Sequence, residues 1–408
     1  MKLIGPFSQI LTLANLPLKG RISDEQLEII SNGGVLVNSE GNILEIAEFN
    51  KLKTKLPAIK VEEIEEPATL IPGFIDCHTH IAFEGSRAGD YAMRVAGKTY
   101  LEIAKTGGGI WDSVIQTRLA SEDDLVRNTV CRANRHALSG VTTIEVKSGY
   151  GLTVESEIKI LRAIKKANNQ VPADLISTCL AAHMKPKDFD GDQREYLEYL
   201  IKELLPILEA ENLAQRIDIF IEESAFGAEQ ADVFLESAKR AGFELTVHAD
   251  QFSTGGSELA IKHQALSADH LEASGENEIK LFSTSDTVAV VLPGASLGLG
   301  INFSPARKLL DAGACVAIAS DWNPGSAPMG DLLTQASILG TFEKLSLAET
   351  LAGLTFRSAK ALGLNDRGVL ETGKLADMQA YPCTDYREIF YNQGQLKPNQ
   401  VWKRGRQL

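Results

Sequence analysis

The stretch IDCHTHIAFEGSR, residues 75–87, sets His78 and His80 one residue apart, beside the carboxylate of Asp76 and the thiol of Cys77. Imidazole nitrogens, carboxylate oxygens and thiolates are the usual protein ligands of transition metals, so any of these four could hold an ion. On a β-strand, residues two apart share a face, which groups Asp76, His78 and His80 and turns Cys77 and Thr79 the other way. On a helix the same spacing sends the two rings to nearly opposite sides, where one ion cannot join them. A strand would let the pair chelate, with Cys77 turned away and Asp76 as a support behind the ligands; two histidines ending a strand as satisfied polar residues are the competing reading of HxH alone.

The chain has seven histidines. His183, His248 and His270 also close short apolar runs, whereas His136 and His263 fall within segments of helical period and read as surface or helix-packing residues. VHAD ends one run in His248, and AIASDWNPGS ends another in Asp321. A buried carboxylate there is costly without a cation or strong donors. The competing reading, Asp321 as a helix N-cap, leaves the histidines unexplained. Three imidazole nitrogens and one carboxylate oxygen, with room for water, suit Zn²⁺, and iron also fits such a set; the lack of cysteine ligands points to catalysis rather than structure.

Positioning these groups requires strands whose ends converge. Eight short apolar runs alternate with helical segments: GFIDCHTH, TTIEVKSGY, DLISTCLAAH, IDIFIEES, ELTVHAD, LSADH, TVAVVLP and CVAIASDW. Eight strand and crossover units predict an α/β fold, a (β/α)8 TIM-like barrel. Helix signals lie between the runs. Ser121 N-caps a helix with Asp124 three residues on and Gly140 beyond its end, and in SPARKLLDAG Ser304 is the N-cap, Pro305 the first helical residue and Gly313 the stop. Residues 1–66 and 364–408 carry strand-like pieces, with SEGN as a hairpin turn in GGVLVNSEGNILEIAEF. Neither end can bury a core alone, so both are expected to build one small β-sandwich-like domain beside a barrel over residues 67–363.

Composition sets outer bounds. The 408 residues are 44% hydrophobic and 23% charged, ordinary for a soluble globular enzyme. A net charge of -13 argues against nucleic acid or an anionic membrane as the main partner. Five scattered cysteines without a CxxC pair, together with a poor signal peptide and no apolar run long enough to span a bilayer, lead to the expectation of a reduced, cytoplasmic protein. The triple glycine of KTGGGIWD lacks the GK[ST] of a phosphate loop and reads as a flexible loop near the barrel mouth.

The order HxH after the first strand, His after the fifth, His after the sixth and Asp after the eighth resembles the amidohydrolase superfamily. Within it, DCHTHIAFEGSRAGDY, KTGGGI, TTIEVKSGYGLTVESEIK, AAHMKP, TVHADQFSTGGSELA, SADHLE and SDWNPGSAP resemble the imidazolonepropionase family, and RGVLETGKLADMQAY extends the likeness to the C-terminal region. EVKSGYG together with SDWNPGS is the most specific part. The resemblance implies that His78, His80, His248 and Asp321 hold the metal. Binuclear relatives carry a bridging lysine after the fourth strand, and FIEESAF has none, which implies one zinc or iron ion per subunit. A homodimer is implied as well.

The implied reaction is hydrolysis of the cyclic amide of 4-imidazolone-5-propanoate to N-formimidoyl-L-glutamate, the third step of histidine degradation. Asp321 accepts the proton of a metal-activated water and returns it to the departing ring nitrogen, with His270 and His183 at the carbonyl or oxyanion. Arg87 is expected to grip the carboxylate tail, and Tyr150, His183 and Gln251 to meet the ring. Asn323, Gly325 and Ser326 would offer donors at the mouth. Arg87 and Tyr150 as plain loop residues, and Gly325 as a turn residue only, are the bland counterparts. Some relatives carry glutamate where Gln251 stands, and glutamine cannot serve as a base. A hydrolase of a related heterocycle and a barrel that binds without turnover are the alternatives.

Overall fold

The computed structural model describes residues 1–98, 102, 107–223 and 225–408, so Lys105 and Thr106 of KTGGGIWD and Ser224 of FIEESAF lie outside the described residues. Two sheets organise the chain. The first gathers both chain ends: β1 (Lys2–Leu11), β2 (Ile29–Val37), β3 (Ile43–Glu48), β4 (Lys60–Glu63) and β5 (Thr69–Pro72) join β14 (Met378–Tyr381), β15 (Gln400–Lys403) and β16 (Arg406–Gln407). It branches at β1, which pairs with β4 along Lys2–Gly5 and with β5 at Gln9 and Ile10. Its core holds Ile4, Phe7, Ile10, Val35, Met378 and Trp402. The expected hairpin is present: Val37 faces Ile43, and the Asn38 side chain accepts the amides of Glu40 and Asn42. β5 sits in this sheet although it falls within the segment expected for the barrel.

The second sheet is parallel and runs in sequence order through β6 (Phe74–Asp76), β7 (Val141–Lys147), β8 (Asp174–Ala182), β9 (Arg216–Ile221), β10 (Glu244–Ala249), β11 (Ser267–His270), β12 (Val288–Val291) and β13 (Val316–Ile318). Each strand coincides with one of the eight expected runs, β7 and β9 starting one residue earlier, at Val141 and Arg216. Closure comes just beyond the last strand, where Thr79 bridges Trp322, the Asp321 amide donates to His78 O (3.1 Å) and the His80 amide to Trp322 O (2.9 Å). The backbone bonds that shut the barrel thus belong to the candidate metal ligands.

Parallel register partners share a face, so the lumen can be read across the sheet. Asp269 pairs with His248 on one side and Val290 on the other, and Val290 pairs with Ala317. The lumen is accordingly polar along β7 to β11 and apolar along β12, β13 and β6, where Ile75, Val288, Val290 and Ala317 cluster.

The helix Glu122–Leu138 starts as expected, with Ser121 accepting the Asp124 amide and Gly140 beyond its end at φ 90°. The short helix after residue 304 departs from expectation: it spans Ala306–Asp311 with Pro305 as N-cap. Ser304 is diverted because its hydroxyl donates to the carbonyl of His270. Among the described residues, no helix is long and apolar enough to cross a membrane.

Candidate active site

At the carboxyl end of the barrel, where enzymes of this architecture place their chemistry, four imidazoles and a carboxylate converge. His78 Nε2 lies 3.2 Å from His80 Nε2, and His248 Nε2 lies 3.3 Å from the same atom. Asp321 Oδ1 stands 3.5 Å from His78 Nε2 and 3.4 Å from His80 Nε2. These four separations are close to the edges of about 3.3–3.4 Å of a tetrahedron with bonds of about 2.0–2.1 Å, and His78, His80 and His248 form one grouping that could hold an ion. His270 joins His78 and Asp321 in a second such grouping.

The protonation states suit metal binding. Burial, reinforced by the Lys147 ammonium and neighbouring imidazoles, holds His78 and His80 well below the usual imidazole range. Burial takes His248 down to about 3 against the pull of Asp218. All three rings are neutral and carry lone pairs. The Asp321 carboxyl, buried in the same place, is pushed up to about 6. Among the described residues, the buried carboxyls of Glu145, Asp218, Asp269 and Asp321 outnumber the buried cations Lys147 and Arg216, and burial pushes Asp269 up to about 7, a proton a divalent cation nearby would help displace.

The alternation rule fails at the first strand. Strand β6 stops at Asp76, and beyond it the period of two no longer applies. Asp76 turns toward the outer helices, where it accepts from the Ser320 amide (2.9 Å), the Ser320 hydroxyl and His136 Nε2 (2.9 Å). Cys77 takes the lumen side, clustered with Val290 and Ala317, its thiol 3.5 Å from the Ser358 hydroxyl. Asp76 therefore braces the chain before Asp321, and His136 is a buried part of that brace. The carboxylates behind His78 and His248 are Asp269, 2.7 Å from His78 Nδ1, and Asp218, 2.9 Å from His248 Nδ1.

His270 should point away from the lumen, since its neighbour Asp269 points in. A left-handed backbone at His270 (φ 90°) and Leu271 (φ 71°) reverses it. Such a conformation is costly for a side-chain-bearing residue and concentrates at functional sites. The Ser304 hydroxyl on its carbonyl helps hold it. Burial opposes a charge on His270, but the carboxylates of Glu272, 3.4 Å from Nδ1, and Asp321 outweigh it and raise its pKa.

Above the cluster opens a cavity of about 860 Å³, lined among others by Arg87, Tyr150, His183, Gln251, Asn323 and Ser326. Arg87 donates through Nε to Asp90 (2.8 Å), leaving Nη1 and Nη2 without a partner among the described residues. Tyr150 is buried between His80 and His183, with ring centroids 6.0 and 5.7 Å away. His183 stacks on His80 and holds the Gly149 carbonyl at 3.0 Å through Nδ1. A carbonyl only accepts, so Nδ1 carries the proton; burial takes the ring down to about 4, and Nε2 is left as an acceptor.

The expected mouth donors are already engaged. The Asn323 side chain donates to Asp321 Oδ2 (2.8 Å) and accepts the amides of Gly325 (2.7 Å) and Ser326 (2.8 Å). The two turn amides thus help orient Asn323 on Asp321, while Asn323, Gly325 and Ser326 all line the cavity. Gly325 has a separate constraint, because a Cβ there would meet Arg87 Nη1 at 2.1 Å.

Sequence reasoning passed over Lys147, Asp218 and Asp269, whose signal is charge at lumen-facing positions within EVK, IDIF and SADH. It also passed over Glu222, which takes the amides of Phe252 (2.8 Å) and Ser253 (3.1 Å) and so fixes the loop that carries Gln251.

The amidohydrolase family pattern matches residues 69–408. The chain is 41% identical over 344 residues to an imidazolonepropionase of Acinetobacter baumannii, covering 84% of this chain and 86% of that one. It is 36% identical over 412 residues to an imidazolonepropionase of Bdellovibrio bacteriovorus, covering 100% and 96%. Among solved structures, an adenosine deaminase from Xanthomonas campestris with bound zinc is similar at a TM-score of 0.70 and 16% identity, over 99% of this chain and 92% of that one.

Proposed function

The chain belongs to the amidohydrolase family and, within it, to the imidazolonepropionases, and from this premise we propose how its site works. It is a hydrolase of carbon–nitrogen bonds in cyclic amides, and its reaction opens 4-imidazolone-5-propanoate to N-formimidoyl-L-glutamate in histidine degradation. The observation that carries the reading is the convergence of three neutral imidazole nitrogens and Asp321 Oδ1 at the floor of a cavity whose wall presents Arg87.

His78, His80, His248 and Asp321 would hold one zinc or iron ion per subunit. Bound there, such an ion supplies the Lewis acidity that makes water a competent nucleophile near neutral pH. Asp321 takes the proton of the attacking water, its other oxygen held still by Asn323. The water oxygen bonds to the ring carbonyl carbon, and the bond from that carbon to the ring nitrogen breaks as Asp321 hands the proton to the nitrogen. His270 donates to the developing oxyanion. His183 takes the substrate-binding part of the two roles expected of it: with Nε2 as acceptor, it receives a ring N–H. Arg87 binds the propanoate through Nη1 and Nη2, Tyr150 packs on the ring, and Gln251 bonds its edge, with no carboxylate base needed at that position. We further propose a cytoplasmic homodimer.

The test is turnover by the metal-loaded protein, followed by loss of imidazolone absorbance. Rapid loss supports the reading. No loss with the imidazolone but turnover of a related heterocycle transfers the site to another substrate, and no turnover despite bound metal would mark a barrel kept for binding.

A further inference from the structure

Lys147 is completely buried in the barrel lumen. Its ammonium lies 2.8 Å from Glu145 Oε1, 2.8 Å from Asp218 Oδ2 and 3.7 Å from Asp269 Oδ2. The last two oxygens are the same atoms that face the metal histidines: Asp218 Oδ2 stands 2.9 Å from His248 Nδ1 and Asp269 Oδ2 2.7 Å from His78 Nδ1.

The barrel's stagger explains why one cation reaches both. A barrel with shear equal to its strand number stacks its lumen in layers of four residues from alternate strands, each layer stepping two residues between them. Lys147 pairs across β8 with Arg216, two before Asp218; Asp218 pairs across β10 with Ser267, two before Asp269. Lys147, Asp218 and Asp269 thus form one layer, directly beneath the histidines. Such layers are normally branched aliphatic side chains, and ions here are expensive unless their charge is used.

We propose that Lys147 is a positioning residue for the metal: its ammonium, in ion-pair contact with both carboxylates, keeps Asp269 on His78 Nδ1 and Asp218 beside His248 Nδ1, which favours the Nδ1–H tautomers and leaves Nε2 free for the ion. Asp269 is also held by the hydroxyls of Ser267 (2.6 Å) and Thr246 (3.2 Å), whereas Asp218 Oδ2 has no hydrogen-bond donor among the described residues, so loss of the ammonium acts first on Asp218; a histidine without its acceptor can place its proton on Nε2, where it blocks ligation. Of the three rings only His78 has a hydrogen bond at Nδ1, to Asp269; Nδ1 of His248, 2.9 Å from Asp218 Oδ2, and Nδ1 of His80 have no hydrogen-bond partner among the described residues, so the contact to His248 is electrostatic and His80 lies outside this control.

The inference rests on the site reading above, and its test separates the two. Apo-protein, wild type and variant, is titrated with cobalt(II) alone, reading affinity and the visible absorption of the bound ion, with near-ultraviolet circular dichroism to confirm folding. Lys147→Met should lower cobalt affinity about ten- to hundredfold and alter the absorption band. Because removing the ammonium leaves carboxylates uncompensated, the double variant Lys147→Met with Glu145→Gln, which deletes one buried charge of each sign, is tested alongside and should show the same loss. A folded protein of either kind with wild-type affinity and spectrum overturns the proposal. Failure of the wild type to bind cobalt overturns the site reading itself, and the role of Lys147 with it.

Discussion

Gly325→Ala places one methyl group where the structure has no room for it. Its Cβ would lie 2.1 Å from Arg87 Nη1 and 2.7 Å from Cζ, against an ordinary contact of 3.4 Å or more. The backbone at 325 is not left-handed, so alanine is tolerated there and the strain falls on the far end of a long side chain. Arg87 must withdraw by more than an ångström while Asp90 still holds its Nε. That retreat removes at least one hydrogen bond between the guanidinium and the substrate carboxylate. A hydrogen bond to a charged group is worth about 1.5–3 kcal/mol, and each 1.4 kcal/mol is tenfold, so KM should rise about ten- to hundredfold. The metal cluster is untouched, and kcat should stay within about twofold. Steady-state kinetics on the imidazolone, paired with a ring lacking the propanoate, provide the assay. An unchanged KM for the full substrate, or an equal loss on the truncated one, would refute Arg87 as the carboxylate clamp.

Asp321→Asn keeps the shape of the ligand and removes the base; kcat should fall about 10²–10⁴-fold or further, and near-normal turnover would discard the assignment. Asn323→Ala frees Asp321 Oδ2 and leaves the Gly325 and Ser326 amides without their acceptor. Turnover should drop, and urea unfolding should show a loss of about 1–3 kcal/mol. Chelation should abolish turnover and lower the thermal midpoint, because an ion bound only by the native state stabilises it, and added zinc or ferrous ion should restore both.

Much of this was legible in the chain itself. The eight barrel strands appear as apolar runs because a parallel sheet buried on both faces needs them, and the histidines that close those runs mark the catalytic end. What escaped is local. Asp76 and Cys77 exchanged faces because β6 lasts three residues, too few for its alternation to reach His78. His270 enters the site through a left-handed backbone that residue type does not announce. Lys147, Asp218 and Asp269 sit in separate strands, and no single strand shows that their side chains meet in one layer. Nor does the sequence of NPGS show that Asn323 accepts the amides of Gly325 and Ser326 while donating to Asp321.

The most direct test of the central claim is the fate of solvent oxygen. With the metal-loaded protein and 4-imidazolone-5-propanoate in ¹⁸O-water, mass spectrometry should find N-formimidoyl-L-glutamate carrying one ¹⁸O, located in the carboxylate formed from the ring carbonyl. An N-formyl product labelled on its formyl oxygen, or an unlabelled carboxylate, would contradict attack by water at that carbonyl and with it the roles given to Asp321 and the histidine cluster.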